Sequence, residues 1–459
     1  HKEKALQLLL DRCPDKLVSS LHQFISPRLC RDPFVSLPYD IRLRVLAELN
    51  DPISFANASQ VSKLWYSVLN DDHVWKNLMQ NSHYKTVDDT VNRQISNYVL
   101  QDQFKTSYKR LYRKNYLLER AWNHGGTQVS SILTGSEGVV TCLLLLNEGI
   151  IFSQDNSRIS HYSYAGEPVR TYVGHTQGVW ALAECDGILV SGGCDRNLRV
   201  WSVASGECLA VLKGHSSTIR CVRMADKNTA VSCSRDSTIR IWDLKAKSCL
   251  HRLSNHEASV RCIDLCGDYV VSGSYDSTAK IWRISTGELL HTLNGHLSQI
   301  YAIVFDGSRV ITGSLDTNVR VWNANTGNCI ALLQGHTSLV ALLELRGDTL
   351  VTGGSDGAVR VWDLKSMTCE LRLAAHDNSV TCLQFDDHRL ITGGSDGRVK
   401  IWDMETGHLI RELNDNYQGI WRLEFSEQYL VILAYERIDA HLKVLSFQPD
   451  PDALEVEPL

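Results

Sequence analysis

A histidine returns every 40 or 41 residues through the later part of this 459-residue chain, at His175, His215, His256, His296, His336 and His376. Trp201, Trp242, Trp282, Trp322, Trp362 and Trp402 keep the same step. Between each His and its Trp lie a short apolar run, a turn carrying an Asp, and an alternating apolar and polar stretch, as in Val190-Ser191-Gly192-Gly193-Cys194-Asp195. A fixed period of this length means that one supersecondary unit is copied, and that copies bury their apolar faces against one another rather than within themselves. The period-two alternation makes those units strands.

The Gly-His to Trp-Asp spacing resembles that of WD-repeat propellers, which carry four strands per blade. Two weaker copies flank the six complete ones: Ser136 with Tyr162 opens a degenerate first blade, and Asn416 with Trp421 and the strands up to Phe447 form an eighth. That last copy stops before its fourth strand, and residues 128–133 read as the missing one, so the two ends pair and no edge is left open. The reading is therefore eight blades, with seven as the other count the pattern admits.

His175, Ser191 and Asp195 have the composition of a hydrolytic triad. The same set returns as His215, Ser232 and Asp236, and again in each further blade, with Thr312, Thr352 and Thr392 as the hydroxyl. An active site is built once, so the repeated set is read as a structural His, Ser/Thr, Asp and Trp tetrad that satisfies buried polar groups, and no catalytic residue is assigned.

Before residue 127 helical spacing takes over. Leu37, Pro38, Ile41, Val45, Leu46 and Leu49 form one apolar face, with Ser36 as N-cap and Pro38 early in the helix. Phe55, Ala58, Val61, Leu64, Trp65 and Val68 form a second segment, and Val74, Trp75 and Leu78 a third. Such a unit of about 45 residues is too small to cover all this surface alone, so part of it is expected to face a partner. The Leu37-Pro38 start, the stretch Gln60-Val61-Ser62-Lys63-Leu64-Trp65 and Val74-Trp75-Lys76 resemble an F-box. The resemblance implies docking on the Skp adaptor, which links to a cullin and its RING subunit, through Leu37, Pro38, Ile41, Leu46 and Leu49. Upstream, Lys4-Ala5-Leu6 through Arg31-Asp32-Pro33-Phe34 looks similar to the dimerisation element that precedes the F-box in receptors of this type, and the resemblance implies a homodimer. The chain so divides into this helical dimerisation segment over 1–32, an all-α F-box over 33–80, a helical linker over 81–126 and the all-β propeller over 127–459.

In a repeat protein, positions that break the pattern on one face are the candidates for function. The residue five after each His-equivalent reads Thr141, Trp180, Arg220, Arg261, Tyr301, Ala341, Thr381 and Trp421; the residue before the tetrad Asp reads Cys194, Arg235, Tyr275, Leu315, Ser355 and Ser395. Both sets are expected at one end of the ring, and Arg196 joins them. Four arginines and several aromatics thereby gather on blades two to five, and planar guanidinium groups suit phosphate.

In order and spacing, Trp180, Asp195-Arg196, Thr218-Ile219-Arg220, Ser234-Arg235-Asp236, Val260-Arg261 and Tyr275-Asp276 resemble the phosphodegron-binding set of cell-division-control-type F-box/WD-repeat receptors. The resemblance implies a non-catalytic substrate receptor of an SCF (Skp–cullin–F-box) ubiquitin ligase. Trp180, Arg196, Thr218, Arg220, Arg235, Arg261, Tyr275, Tyr301 and Trp421 would then bind phosphorylated pThr-Pro or pSer-Pro segments. Cys194 departs from the hydroxyl residue usual at its position. A non-degradative F-box/WD-repeat scaffold is the competing reading.

A net charge of −5 and a pI near 6.4 argue against a nucleic-acid-gripping surface. No apolar run reaches the ~18 residues of a membrane span, and the opening His1-Lys2-Glu3-Lys4 is no signal peptide, which predicts a soluble intracellular chain without its initiator Met. The resemblance implies the nucleus or the cytoplasm and favours the nucleus. The 14 cysteines contain no C-x-x-C pair and fall largely on repeat positions, so they are expected to be reduced strand residues, with no metal or cofactor.

Overall fold

The computed structural model describes residues 37–47, 52–81, 108–133, 139–414, 417–436 and 439–449. The expected dimerisation segment, Leu49, and much of the linker lie outside these residues. The chain divides into two compact units, residues 1–120 with 449–459, and residues 121–448.

The first unit contains α1 (Tyr39–Ala47), α2 (Pro52–Ser59), α3 (Lys63–Leu69), α4 (Asp72–Asn81) and the opening turns of α5 (Tyr108–His124). The second apolar segment, expected as one helix, is two. The Gln60 and Val61 amides close α2 onto the Asn57 and Ala58 carbonyls, and the Ser62 hydroxyl caps a new start by accepting the Trp65 amide at 3.3 Å. A side chain that satisfies an orphan amide terminates one helix and begins the next, which apolar spacing alone does not reveal. Pro38, expected within α1, instead stands just before it, its carbonyl accepting the Arg42 amide at 3.1 Å. The core of the unit gathers Leu46, Phe55, Val68, Leu69, Val74, Leu78 and Met79 around Trp75, whose ring lies 5.4 Å from Phe55 and 5.5 Å from Tyr112.

The second unit is an eight-bladed propeller of eight four-stranded antiparallel sheets. Blades one to seven are each four consecutive strands. In the eighth, the strands Gly419–Phe425, Tyr429–Glu436 and Asp439–Ser446 are completed by Thr127–Leu133, which pairs from Thr127 opposite Ser446 to Leu133 opposite His441. The ends of the ring therefore close on each other as the sequence predicts. Just ahead of the closing strand, Trp122 stacks on Phe447 at 3.6 Å and donates its indole N–H to the Glu427 carbonyl at 2.9 Å, fixing where that strand enters.

Burial follows strand position. The second strand of each complete blade, such as Thr229–Ser234 or Arg309–Ser314, is buried on both faces between its neighbours and reads as a near-continuous apolar run, whereas the outer strand Cys208–Lys213 alternates with solvent. The apolar clusters accordingly mix adjacent blades: Val190, Leu198 and Val200 of blade two pack with Ile219, Val222 and Trp242 of blade three.

The tetrads bolt blades two to seven. Trp201 Nε1 donates to Ser191 Oγ at 2.8 Å, Ser191 meets His175 Nε2 at 2.7 Å, and His175 Nδ1 meets Asp195 at 2.8 Å. The carboxylate fixes the Nδ1–H tautomer, which leaves Nε2 free to accept the hydroxyl proton. Burial holds His215, His296, His336 and His376 below the usual imidazole value. Burial opposes charge on Asp236, but hydrogen bonds from His215 and Thr238 outweigh it and hold the carboxyl well below its ordinary range. Each such hydroxyl is fully buried and occupied on both sides, so these sets are structural.

A further polar device ties blade to blade. Side chains on the innermost strands accept the inner-edge amide of the next blade: Asp264 from Phe305 at 2.9 Å, Glu344 from Phe385 at 3.0 Å, Gln384 from Phe425 at 2.7 Å and Glu424 from Leu145 at 3.1 Å. Burial pushes Glu424 from 4.5 up to about 7 against the opposing pull of Arg422. A carboxyl whose folded value is raised contributes stability below its unfolded value and loses it as pH rises through the folded one. Glu424→Gln, which reproduces the acceptor that Gln384 already supplies, should therefore gain on the wild type by roughly 3 kcal/mol between pH 4.5 and 7 and hold that gain above pH 7. Urea denaturation of both proteins across this range checks it, and a constant difference would refute the assignment.

Candidate functional site

The eight positions singled out five residues after each His share an unanticipated backbone feature. In each blade the register between the two innermost strands slips around that residue: between Val179 and Ala181 at Trp180, Ile219 and Cys221 at Arg220, Val260 and Cys262 at Arg261, and likewise at Thr141, Tyr301, Ala341, Thr381 and Trp421. Each is the extra residue of a β-bulge, released from the ladder and re-aimed. The bulge shifts the alternation by one residue, so the buried positions that flank it are three apart, as with Ile219 and Val222 or Val260 and Ile263.

What a blade does with its bulge depends on the residue. Thr141 and Thr381 turn their hydroxyls onto the next blade's backbone, to the carbonyls of Val179 and Ile420. Their role is in the ring itself. Trp180, Arg220, Arg261 and Tyr301 make no such bond among the described residues and are partly or well exposed.

The second set of rim residues lies beside the bulges. The amides of Cys194, Arg235, Tyr275, Leu315, Ser355 and Ser395 bond to the carbonyls of Gly178, Thr218, Ser259, Gln299, Leu339 and Ser379, two residues before each bulge. Thr218 thus enters the site through its backbone, presenting Arg235.

These contacts bring six of the expected residues together. The Arg220 guanidinium lies 5.7 Å from the Trp180 ring centroid. Burial and the charges of Arg261 and Arg235 hold Arg220 below the ordinary guanidinium value, so the three cations share one field. Tyr275 and Tyr301 rings lie 5.2 Å apart, and the Tyr301 hydroxyl reaches Gln299 at 3.2 Å. Among the described residues none of Arg196, Arg220, Arg235 and Arg261 has a carboxylate partner, although Arg309, Arg389 and Arg398 elsewhere in the ring are each paired.

Arg196 and Trp421 join the set through repeat position. Arg196 follows the tetrad Asp in the left-handed region, φ 65°, as do Ser237, Ser277 and Thr317, whereas Gly357 and Gly397 stand there in blades six and seven. A Cβ at Gly397 would lie 1.8 Å from the Tyr417 carbonyl oxygen. The conformation costs a side chain about 1–2 kcal/mol. Arg196→Gly should therefore leave stability unchanged or raise it by up to ~1 kcal/mol, the relief being partly offset by glycine's greater unfolded entropy. Thermal unfolding checks this, and a clear loss would show that the Arg196 side chain is itself structural.

The sequence reading missed Tyr435. Register places it in blade eight where Cys194 stands in blade two, and its ring lies 5.1 Å from that of Trp421. Blade eight lacks the His and Trp that index the others; the 14-residue step from Trp180 to Cys194, repeated from Trp421, would have found it. Leu297 and Leu315, 88% and 43% exposed, extend the apolar side of the rim on blade five.

In the helical unit the expected adaptor-docking residues separate. Leu46 is fully buried in the unit's own core, which corrects its place on the docking face. Leu37 is half-buried and Pro38 exposed. Ile41 and Val45, one turn apart, are 43% and 45% exposed and form the open side of α1, while Tyr39, 44% exposed, turns its hydroxyl to Asp71. Among the described residues no group of His, Cys, Asp and Glu could hold a metal ion, and no helix is long and apolar enough to cross a membrane.

Comparison with known families agrees with this architecture. Residues 34–81 match the F-box-like family, and six segments from 166–202 to 367–403 match the WD domain, G-beta repeat. The chain is similar to WD repeat-containing protein pop1 of Schizosaccharomyces pombe, 29% identical over 230 residues, covering 49% of this chain and 29% of the relative. It is also similar to Cell division control protein 4 of Saccharomyces cerevisiae, 29% identical over 219 residues (46% and 28%), and to F-box/WD repeat-containing protein sel-10 of Caenorhabditis elegans, 35% identical over 241 residues (45% and 41%). The chain thus matches about 28–41% of the length of these relatives. The crystal structure of the computationally designed Ika8 protein superposes with a TM-score of 0.65 at 31% identity, over 70% of this chain and 100% of that one. With an F-box-like unit ahead of a closed ring of WD repeats, the chain belongs to the F-box/WD-repeat proteins.

Proposed function

We propose that this chain is the substrate-recognition subunit of an SCF-type ubiquitin ligase, in which the propeller rim binds phosphorylated segments and the helical unit docks on the Skp adaptor. The observation that carries the reading is the group Arg220, Arg235 and Arg261, converging on one rim without carboxylate partners among the described residues and flanked by Trp180, Tyr275 and Tyr301. Unpaired guanidinium groups held near one another raise each other's energy, and a phosphate placed among them relieves that repulsion with charge-assisted bonds. The aromatics supply surface for the apolar and proline residues beside it. The names of the relatives, a cell division control protein and F-box/WD-repeat proteins, support the same reading.

The adaptor is proposed to cover the open side of α1, where Ile41 and Val45, with Pro38 just before the helix, leave apolar surface exposed. The chain itself adds proximity, raising the concentration of a bound target near the charged conjugating enzyme. Residues 3–30, by their apolar pattern, are proposed to form a homodimer, and by resemblance the nucleus is the favoured compartment.

The deciding experiment is binding of a doubly phosphorylated Leu/Ile-x-pThr-Pro peptide and of its unphosphorylated form to the full chain. Binding of the phosphorylated peptide alone is expected. Equal binding of both, or of neither, would return the chain to a scaffold role.

A further inference from the structure

One repeat position beneath the rim is broken in blade three alone among the complete blades. The residue that follows each bulge faces a partner on the second strand, and that partner is Gly192, Gly273, Gly313, Gly353 and Gly393 in blades two, four, five, six and seven. Glycine is there for space: a Cβ at Gly273 would stand 2.7 Å from Cys262 Sγ, and one at Gly393 would stand 2.6 Å from Cys382 Sγ. Blade three has Cys233 at this position, directly opposite Cys221. Two thiols therefore share a site that elsewhere admits one side chain.

We propose that Cys221 and Cys233 are a modification site, a dithiol that mild peroxide converts to a reversible disulfide within blade three and so alters the rim above it. Antiparallel partners stand about 4.5–5.5 Å apart at Cα and project to the same face, inside the span of about 4.4–6.8 Å that a disulfide bridges. Cys221 is partly exposed and Cys233 is fully buried, which suits the first as the attacking thiol and the second as the resolving one. A hydrogen bond from the Cys233 thiol, with the charges of Arg223 and Arg261 that face it, outweighs burial and draws Cys221 toward the thiolate. The neighbouring Cys262 thiol is pushed by burial up to about 12 and stays protonated.

The chemistry balances without another reagent. The Cys221 sulfur attacks one oxygen of hydrogen peroxide, the O–O bond breaks, and the departing hydroxide takes up the thiol proton as water, leaving a sulfenic acid. The Cys233 sulfur then attacks the Cys221 sulfur, the S–O bond breaks, and hydroxide leaves with the Cys233 proton as a second water. Two thiols lose two electrons and peroxide gains them.

The consequence for the rim rests on the phosphate-binding reading above. Arg220 directly precedes Cys221 on the bulge, and Arg235 follows Cys233 by two residues. A bond drawn between the two sulfurs tightens the base from which both guanidinium groups project.

The test treats the full chain with hydrogen peroxide and reads two things, a tryptic map and the affinity for the phosphorylated Leu/Ile-x-pThr-Pro peptide. Cleavage at the Arg and Lys residues between them separates Cys221 and Cys233 onto different peptides, so their bond appears as a cross-linked pair that dithiothreitol dissolves. The expected result is that pair, with affinity lowered about tenfold and restored by dithiothreitol. Cys233→Gly, which installs the residue of five other blades, should fold, bind normally when reduced and show no dithiothreitol-reversible loss. Thiol oxidation without the Cys221–Cys233 pair, the pair without a change in affinity, or an equal reversible loss in Cys233→Gly would each overturn the proposal. Failure of the reduced wild type to bind the phosphopeptide would sink the rim reading instead, and leaves the disulfide to be judged by the map alone.

Discussion

Arg220→Ala, Arg235→Ala and Arg261→Ala are each expected to weaken phosphopeptide binding by about one to two decades, because each removes charge-assisted bonds worth ~1.5–3 kcal/mol. None should unfold the ring. All three side chains lie outside the tetrads, and relieving the mutual repulsion that depresses Arg220 should if anything favour the unliganded fold. Arg360 is the matched control. Its guanidinium donates to the Gly335 carbonyl at 2.6 Å, as Arg240 donates to that of Gly214 at 2.8 Å, so it buttresses a blade rather than facing a ligand. Arg360→Ala should cost stability while leaving affinity within about twofold, since its lost bond is one the folded ring makes with itself. Calorimetric titration paired with thermal unfolding separates the two effects. If Arg360→Ala and Arg235→Ala weakened binding equally while both stayed folded, the binding face would have to be sought elsewhere.

The largest stability effect is expected at a tetrad hydroxyl. Thr352 Oγ1 accepts the Trp362 indole N–H at 3.0 Å and meets His336 Nε2 at 2.8 Å in a fully buried setting. Thr352→Val keeps the shape but strands both partners, and two buried polar groups without bonds cost about 2–5 kcal/mol together. Replacing Trp362 by Phe in the same molecule should add less than that change costs alone, because it also removes one of the partners that Thr352→Val strands. Blade one already contains such an exchange. Phe152 stands at the hydroxyl position and Tyr162 at the Trp position, with their rings 5.7 Å apart. Denaturant titration of the two single variants and the double gives the coupling directly, and strict additivity would argue against the tetrad as a unit.

The parts of the molecule that sequence reveals are those where one residue type has one use. A buried Trp and a buried His recurring at a fixed step leave little but a closed ring of similar blades, and residues 128–133 were legible as the closing strand because the eighth copy visibly lacks one. The rim was legible as a set of pattern breaks, though not as bulges, since a one-residue slip of register leaves no mark in composition. Tyr435 escaped because its blade has lost the residues that set the frame. Leu46 escaped for a different reason: it reads as part of one apolar stripe with Ile41, although five residues place it about 140° further round the helix, on the side that α2 to α4 cover. The division between α2 and α3 turns on one hydroxyl, Ser62, whose capping role is indistinguishable in sequence from an exposed serine within a helix.

The pairing of Thr127–Leu133 with Asp439–Ser446 also sets a timetable for synthesis. The first propeller strand to be made has its partner among the last propeller strands, so for as long as the seven blades between them are being made Thr127–Leu133 has no partner and the ring stays open. Closing so long a loop costs entropy that grows only slowly with its length, so the delay rather than the distance is the hazard. A product terminated before Asp439 would retain most blades intact while exposing two open edges, the arrangement most prone to pair with another chain.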